Sequence, residues 1–487
     1  MSVARPEGRI VLMHGASLYR SRSRLCRAGV PLGTGRIKLW GVWLRSGTAC
    51  PDLAFPPFES ISLMTTRTSK ALALSAAAAL ASTASFGQTL ISDGFELGSA
   101  ADYTVVDDGT PDGAEDFSFD YIAAGIPLAP RSGAGDTNGL RLTANVSAGV
   151  ADARTAFHNT AITASRYRLT VDVWMNFVGT AGTTEFGHVG VGGDGTTFNS
   201  VFTPISGSGA FLSFTGDGGS GSDYRWFRDS ANTPLGDADS TTLPNTHPSY
   251  LGHGSNNSGA FFQALFPSPP STIAGSPGNI WTTVEIEVDN NCGLISFSFD
   301  GQLTFRGSFA GTFDGLVSLG IADAFSSVGT ADQFTLFDNL LVEELPPLGT
   351  AYCTVITNST GLGALLLATG DDAVAGNDLT LCAQDLPTDT FGIFLASPTS
   401  DFVTGAGGSV GNLCIGPAIG RGVGGAILNS GPGGTFSITA DLTALPTSAG
   451  PAAVMAGDTV FFQGWFRDFV GGSTTSNYTN GLIVTFN

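Results

Sequence analysis

Strict two-residue alternation is the feature that most limits how this chain can fold. In YRLTVDVWM, Tyr167, Leu169, Val171, Val173 and Met175 share one face. Val284, Ile286 and Val288 do so in WTTVEIEVD, and Ile295, Phe297 and Phe299 in GLISFSFDG. In GTFSITADLTAL, Phe436, Ile438, Ala440 and Leu442 lie opposite Thr435, Ser437, Thr439 and Asp441. A side chain swaps faces at each residue of a strand, so this pattern predicts antiparallel strands with one buried and one wet face. Gly, Asn and Asp turns separate the runs. The chain has 67 glycines in 487 residues, about twice the ordinary usage of roughly 7%. Good helix formers are scarce, and no amphipathic helix is predicted after residue 87.

Residues 64–88 read MTTRTSKALALSAAAALASTASFGQ. Arg67 and Lys70 precede a small-apolar run from Ala71 to Ala81, and Ser85-Phe86-Gly87 offers a cleavage site before Gln88; Ser82-Thr83-Ala84 is an alternative. This is the form of a secretory signal, too short to span a bilayer, where about 20 apolar residues are needed. Met64 opens the pattern. Residues 1–63 then read as a disordered upstream extension from an earlier start; a basic arm for nucleic acid is the alternative.

Charge depends on that division. The whole chain has 21 basic and 41 acidic side chains. Residues 1–63 hold nine and three of them, and 64–87 two basic ones, which leaves ten arginines, no lysine and 38 acids, net −28. Such a surface repels nucleic acid and anionic membranes. No second long apolar run follows, so no membrane span is expected in the mature chain. The expected location is secreted, extracellular or cell-envelope associated.

Roughly 400 mature residues exceed one ordinary domain. EELPPLGTAY (343–352) reads as a connector. It predicts an all-β chain of two β-sandwich domains, 88–346 and 350–487, with long loops over the Gly- and Ser-rich 216–280. Four cysteines remain: Cys292, Cys353, Cys382 and Cys414, which allow three pairings. Cys353 and Cys414 fall in one predicted domain and are the preferred pair. Cys382 lies opposite its strand's apolar face, free or paired.

The first domain opens with LISDGFELG, closes with FTLFDNLLVEE, and carries VEIEVDNNCGLISFSFDGQLTF before the close. This resembles the concanavalin A-like lectin/glucanase and laminin G-like jelly rolls. The resemblance implies that the first and last strands pair. It also implies a structural calcium joining Asp93 and Glu96 to Asp338, whose strand parity with Phe334, Leu336, Leu340 and Val342 points it toward the apolar side. Hard oxygen ligands suit Ca2+; the alternative is a carboxylate bonded to backbone amides or facing solvent. The second domain (AYCTVITNSTGLG, LCIGPAIGR, VFFQGWFRD, GLIVTF) looks like a smaller C-terminal β-sandwich module recurring in secreted bacterial proteins.

The glucanase branch uses alternating carboxylates on a central strand. Glu285-Ile286-Glu287-Val288-Asp289 is the nearest run, in the wrong order and on a late hairpin, and reads as a solvated sheet face. Gly407-Gly408-Ser409-Val410-Gly411 spells GxSxG but lacks the following helix that a nucleophile elbow requires. His247 and His253 flank PSYLG and read as surface residues. Exposed aromatics that stack on sugar rings remain the better candidates: Trp174 beside Asp172, and Tyr224 and Trp226 with Arg228 in SDYRWFRD. The expected function is non-catalytic glycan binding or surface adhesion. A polysaccharide hydrolase or lyase and a purely structural exported protein are the alternatives.

Overall fold

Two antiparallel sheets pack face to face over the first half of the molecule. The computed structural model describes residues 87–110, 112–147, 150–178, 184–201, 205–228, 233–234, 246–309 and 311–487. The upstream extension and the signal segment, apart from Gly87, lie outside the described residues. One sheet runs in the order Gln302–Ser308, Leu294–Phe299, Trp281–Asp289, Arg166–Asn176, Phe334–Glu344, Asn138–Thr143, Ala114–Asp120. The opening strand, Thr89–Asp93, pairs with the closing one, Phe334–Glu344. The facing sheet runs Thr233–Pro234, Tyr224–Arg228, Ala210–Phe214, Glu185–Gly193, Leu316–Asp323, Asp152–His158, Tyr103–Asp107. The alternating apolar sets meet between them: Leu169, Val171, Val173, Val284, Ile286 and Phe297 from one sheet, Val189, Leu212, Leu319 and Ile321 from the other. Each large side chain buried there contributes about 1.5–3 kcal/mol of apolar transfer.

The stretch 216–280 departs from the loop expectation. Tyr224–Arg228 is a strand, and Ala260–Leu265 forms a short helix. Tyr250, Phe262 and Phe266 are buried in the same core, so residues 250–266 plug the sandwich.

A second core lies between a six-stranded sheet, built on Phe391–Ser397, Thr459–Val470 and Ser473–Thr485, and a three-stranded sheet of Leu365–Gly370, Leu379–Gln384 and Phe436–Ala440. The chain is thus all-β with β-sandwich architecture. Both cores belong to one compact unit, Ala81–Asn487. Cys353 is bonded to Cys414 within the second module. Cys292 is bonded to Cys382, which ties the two modules together. Bidentate contacts from Arg306 to Asp378 (2.5 and 2.6 Å) and a bond from Arg166 to the Gly370 carbonyl (2.8 Å) hold the same junction.

Asp338 does not share a face with Leu340 and Val342. The pairing with Arg166–Asn176 slips between Asp338 and Leu341, and Asn339 adopts a left-handed φ of 54°. This bulge turns Leu340 and Val342 into the inter-sheet core while Leu336 and Asp338 face outward. Asp338 is buried even so, because the segment 121–137 covers that outer face and its Tyr121 and Ser132 hydroxyls bond the carboxylate.

Candidate binding groove

Most residues expected to touch a sugar are covered. Trp174 is on the outer face of its strand, as its parity requires, but is only 8% exposed. It packs with Tyr121, Ile126 and Ala129 of the covering segment and edge-on to Trp281. Its indole N–H donates to Asn176 Oδ1 at 3.0 Å. Asp172 beside it is fully buried and accepts from Arg131 Nε (3.0 Å), Thr283 Oγ1 (2.7 Å) and Asn339 Nδ2 (3.0 Å). Those bonds hold the covering segment down and leave the carboxylate no open side.

Tyr224 and Trp226 point into the first core. Tyr224 stacks on Phe262 with ring centres 3.8 Å apart, and its hydroxyl donates to the Gly275 carbonyl at 2.6 Å. Trp226 lies against Phe297 and beneath Gly307, where any Cβ would come within 2.1 Å of the indole. Both are core residues because burial of large rings outweighs the polar company of their neighbours in sequence. Arg228 ends the same strand, and its side chain lies outside the described residues.

The three acids expected at a calcium site each accept hydrogen bonds from the chain. Asp93 accepts from the Phe95 amide (2.8 Å) and the Tyr103 hydroxyl (3.0 Å). Glu96 accepts from the Thr137 and Asn138 amides (2.6 and 2.8 Å). Asp338 accepts from Tyr121, Ser132 and the Asn339 amide. These three acids do not form a metal group, and among the described residues no set of three His, Cys, Asp or Glu side chains does.

The open site lies elsewhere. The outer faces of the last strands of the first sheet carry two polar rows. Arg168, Glu287, Ser296 and Arg306 are in register across four strands, and Glu285 stands opposite Ser298 in the next row. The turn of the second module that holds Asp371, Asn377 and Asp378 stands over these rows. Between them is a groove of about 990 Å3. His253 and Phe261, stacked with ring centres 3.7 Å apart, also line it. Burial holds His253 below its ordinary pKa, with a bond to the Leu303 backbone working the other way. Much of the charge is internally balanced: Glu287 accepts from Arg166 (2.6 Å) and Arg168 (3.1 Å), and Arg306 is held by Asp378. What remains is a wet, hydroxyl- and amide-rich trough with one aromatic surface.

Glu285, Glu287 and His253 were visible in the sequence as an alternating face and a loop histidine. The signal could not join them, because the second module closes the groove from residues more than 70 positions away. Ser409 of the GxSxG match is buried, and its hydroxyl donates to the Ser476 carbonyl at 2.6 Å.

No protein-family model and no curated protein matches the sequence. Solved structures are similar to part of it. The Emp47p carbohydrate recognition domain is 9% identical, with 48% of this chain and 89% of that one covered and a TM-score of 0.28. A Bacillus subtilis protein of unknown function with a galectin-like fold gives 9%, 53% and 97%, with 0.30. The cellulose-induced protein Cip1 gives 10%, 52% and 97%, with 0.31. Nothing about ligand or metal passes to this chain from superpositions of that kind.

Proposed function

We propose that this is an exported, non-catalytic glycan-binding protein whose ligand lies in the groove between the first sandwich and the second module. The observation that carries the reading is the groove itself: hydroxyl and charged groups in register, beside a stacked His253–Phe261 pair. Sugars present hydroxyls at their edges and C–H groups on their faces, and that combination of linings suits both. The commitment of Glu287 to two guanidiniums argues against its serving as one of a free catalytic carboxylate pair. Two disulfides support export, since they persist in oxidising compartments. No helix among the described residues is long and apolar enough to cross a membrane.

The test is retention of the purified full chain on a panel of immobilised neutral polysaccharides, with Phe261→Ala and Ser298→Ala as variants. Retention on one glycan, weakened severalfold by either change without loss of thermal stability, is the expected result. Retention that both variants leave intact would remove the groove from the reading. Release of reducing ends from a retained glycan would replace binding by hydrolysis, and no retention on any glycan would favour a structural protein.

A further inference from the structure

A second site, independent of the groove, lies on the outer face of the six-stranded sheet. Ile393, Trp465 and Tyr478 stand side by side on three neighbouring strands, Ile393 opposite Trp465 and Trp465 opposite Tyr478. Arg421 is on the strand at the other side of Phe391–Ser397, opposite Leu395. These residues line a pocket of about 300 Å3, walled by Leu413 and the Ala406–Gly407 turn. Trp465 is only partly buried, so the pocket has an aromatic floor open to a ligand.

The charges around it are unusual for this chain. Residues 88–487 have ten arginines against 38 acids, and a guanidinium would ordinarily find a carboxylate. Arg131, Arg141, Arg154, Arg166, Arg168 and Arg306 do. Arg421 is exposed and has no acidic partner among the described residues. Its charge instead reaches the Tyr478 hydroxyl, whose pKa burial pushes up and Arg421 draws partly back. Arg467 lies two residues from Trp465 on the same face of the strand, also exposed and without an acidic partner among the described residues.

An aromatic floor with an uncommitted guanidinium at its side selects a ring with an apolar face and a negative edge. A hexose offers the first to Trp465, and a carboxylate on the same ring accepts bidentate bonds from Arg421. The net negative charge of the rest of the chain disfavours a long polyanion, so a short segment or chain end fits best. We infer that this pocket binds an acidic sugar, a uronate unit stacked on Trp465 with its carboxylate held by Arg421.

The experiment is a titration of the full chain with trigalacturonate and, separately, with its methyl ester, which keeps the rings and removes the charge. Heat of binding and tryptophan emission are read together. The acid should bind at least tenfold more tightly than the ester. Arg421→Gln should abolish that preference with Tm unchanged, and Trp465→Phe should weaken both forms. Equal binding of acid and ester, an unaltered preference in Arg421→Gln, or no binding of either at millimolar concentration would each overturn the inference. The groove reading stands or falls separately, because its variants share no residue with this pocket.

Discussion

Asp172 and Asp338 face each other on neighbouring strands, both fully buried, and Asn339 bonds both of them. Two carboxylates that close would repel, and each is stabilised by a different set of donors. Asp172 has the Arg131 guanidinium and Asp338 has only neutral ones. Burial, with a smaller push from the Asp172 charge, raises Asp338 to about 6, against the pull of Ser132, Tyr121 and the Asn339 amide.

Stability should therefore depend on pH through Asp338. A carboxyl raised above its ordinary value contributes stability that is complete below about 4 and is lost as pH rises through about 6. Asp338→Asn removes that loss. The variant should be flatter than the parent between pH 4.5 and 7.5, by on the order of 1–3 kcal/mol across the window. Asp152, raised to about 6 chiefly by burial, titrates in both proteins and cancels in the difference. Urea denaturation at four pH values checks this; parallel curves would refute it.

His188 is fully buried on the outer face of the second sheet, and among the described residues neither ring nitrogen has a hydrogen-bond partner. Burial lowers its pKa to about 3. A depressed base contributes stability that is present above its unfolded value near 6.5 and is lost as pH falls toward 3. His188→Leu should stabilise by about 1–3 kcal/mol at pH 7, and the gain should grow toward pH 5. Destabilisation by the leucine, or a gain that does not vary with pH, would show that the ring is paired in solution.

Asp93, Glu96 and Asp338, the acids expected at a calcium site, accept bonds from amides and hydroxyls. Glu96→Gln should cost about 1–2 kcal/mol by weakening its bonds to the Thr137 and Asn138 amides. The cost should be the same in millimolar calcium and in EDTA. A cost seen only with calcium would assign Glu96 to a metal site.

Cys292 and Cys382 are 90 residues apart and join the two modules. Replacing both by serine should destabilise by about 2–4 kcal/mol. Because each module has its own core, calorimetry should then resolve two transitions where the parent shows one. A single undiminished transition would show that the Arg306–Asp378 and Arg166–Gly370 contacts hold the junction alone.

The alternation in YRLTVDVWM, WTTVEIEVD and GLISFSFDG determined the strands and which residues meet in the first core, because a strand's period of two is local and leaves only two faces. It also put Trp174 and Asp172 on the correct, outer face. What it could not determine was whether that face stays open. Coverage by the segment 121–137, and stacking of Tyr224 on a helix nearly 40 residues away, depend on contacts that no local period records. The bulge at Asn339 reversed the parity of Leu340 and Val342 relative to Asp338 through one left-handed residue. The groove exists because the second module docks against the first sheet, where a disulfide and two arginines join them. Local pattern thus set the layers, and long-range packing decided which of their faces a ligand can reach.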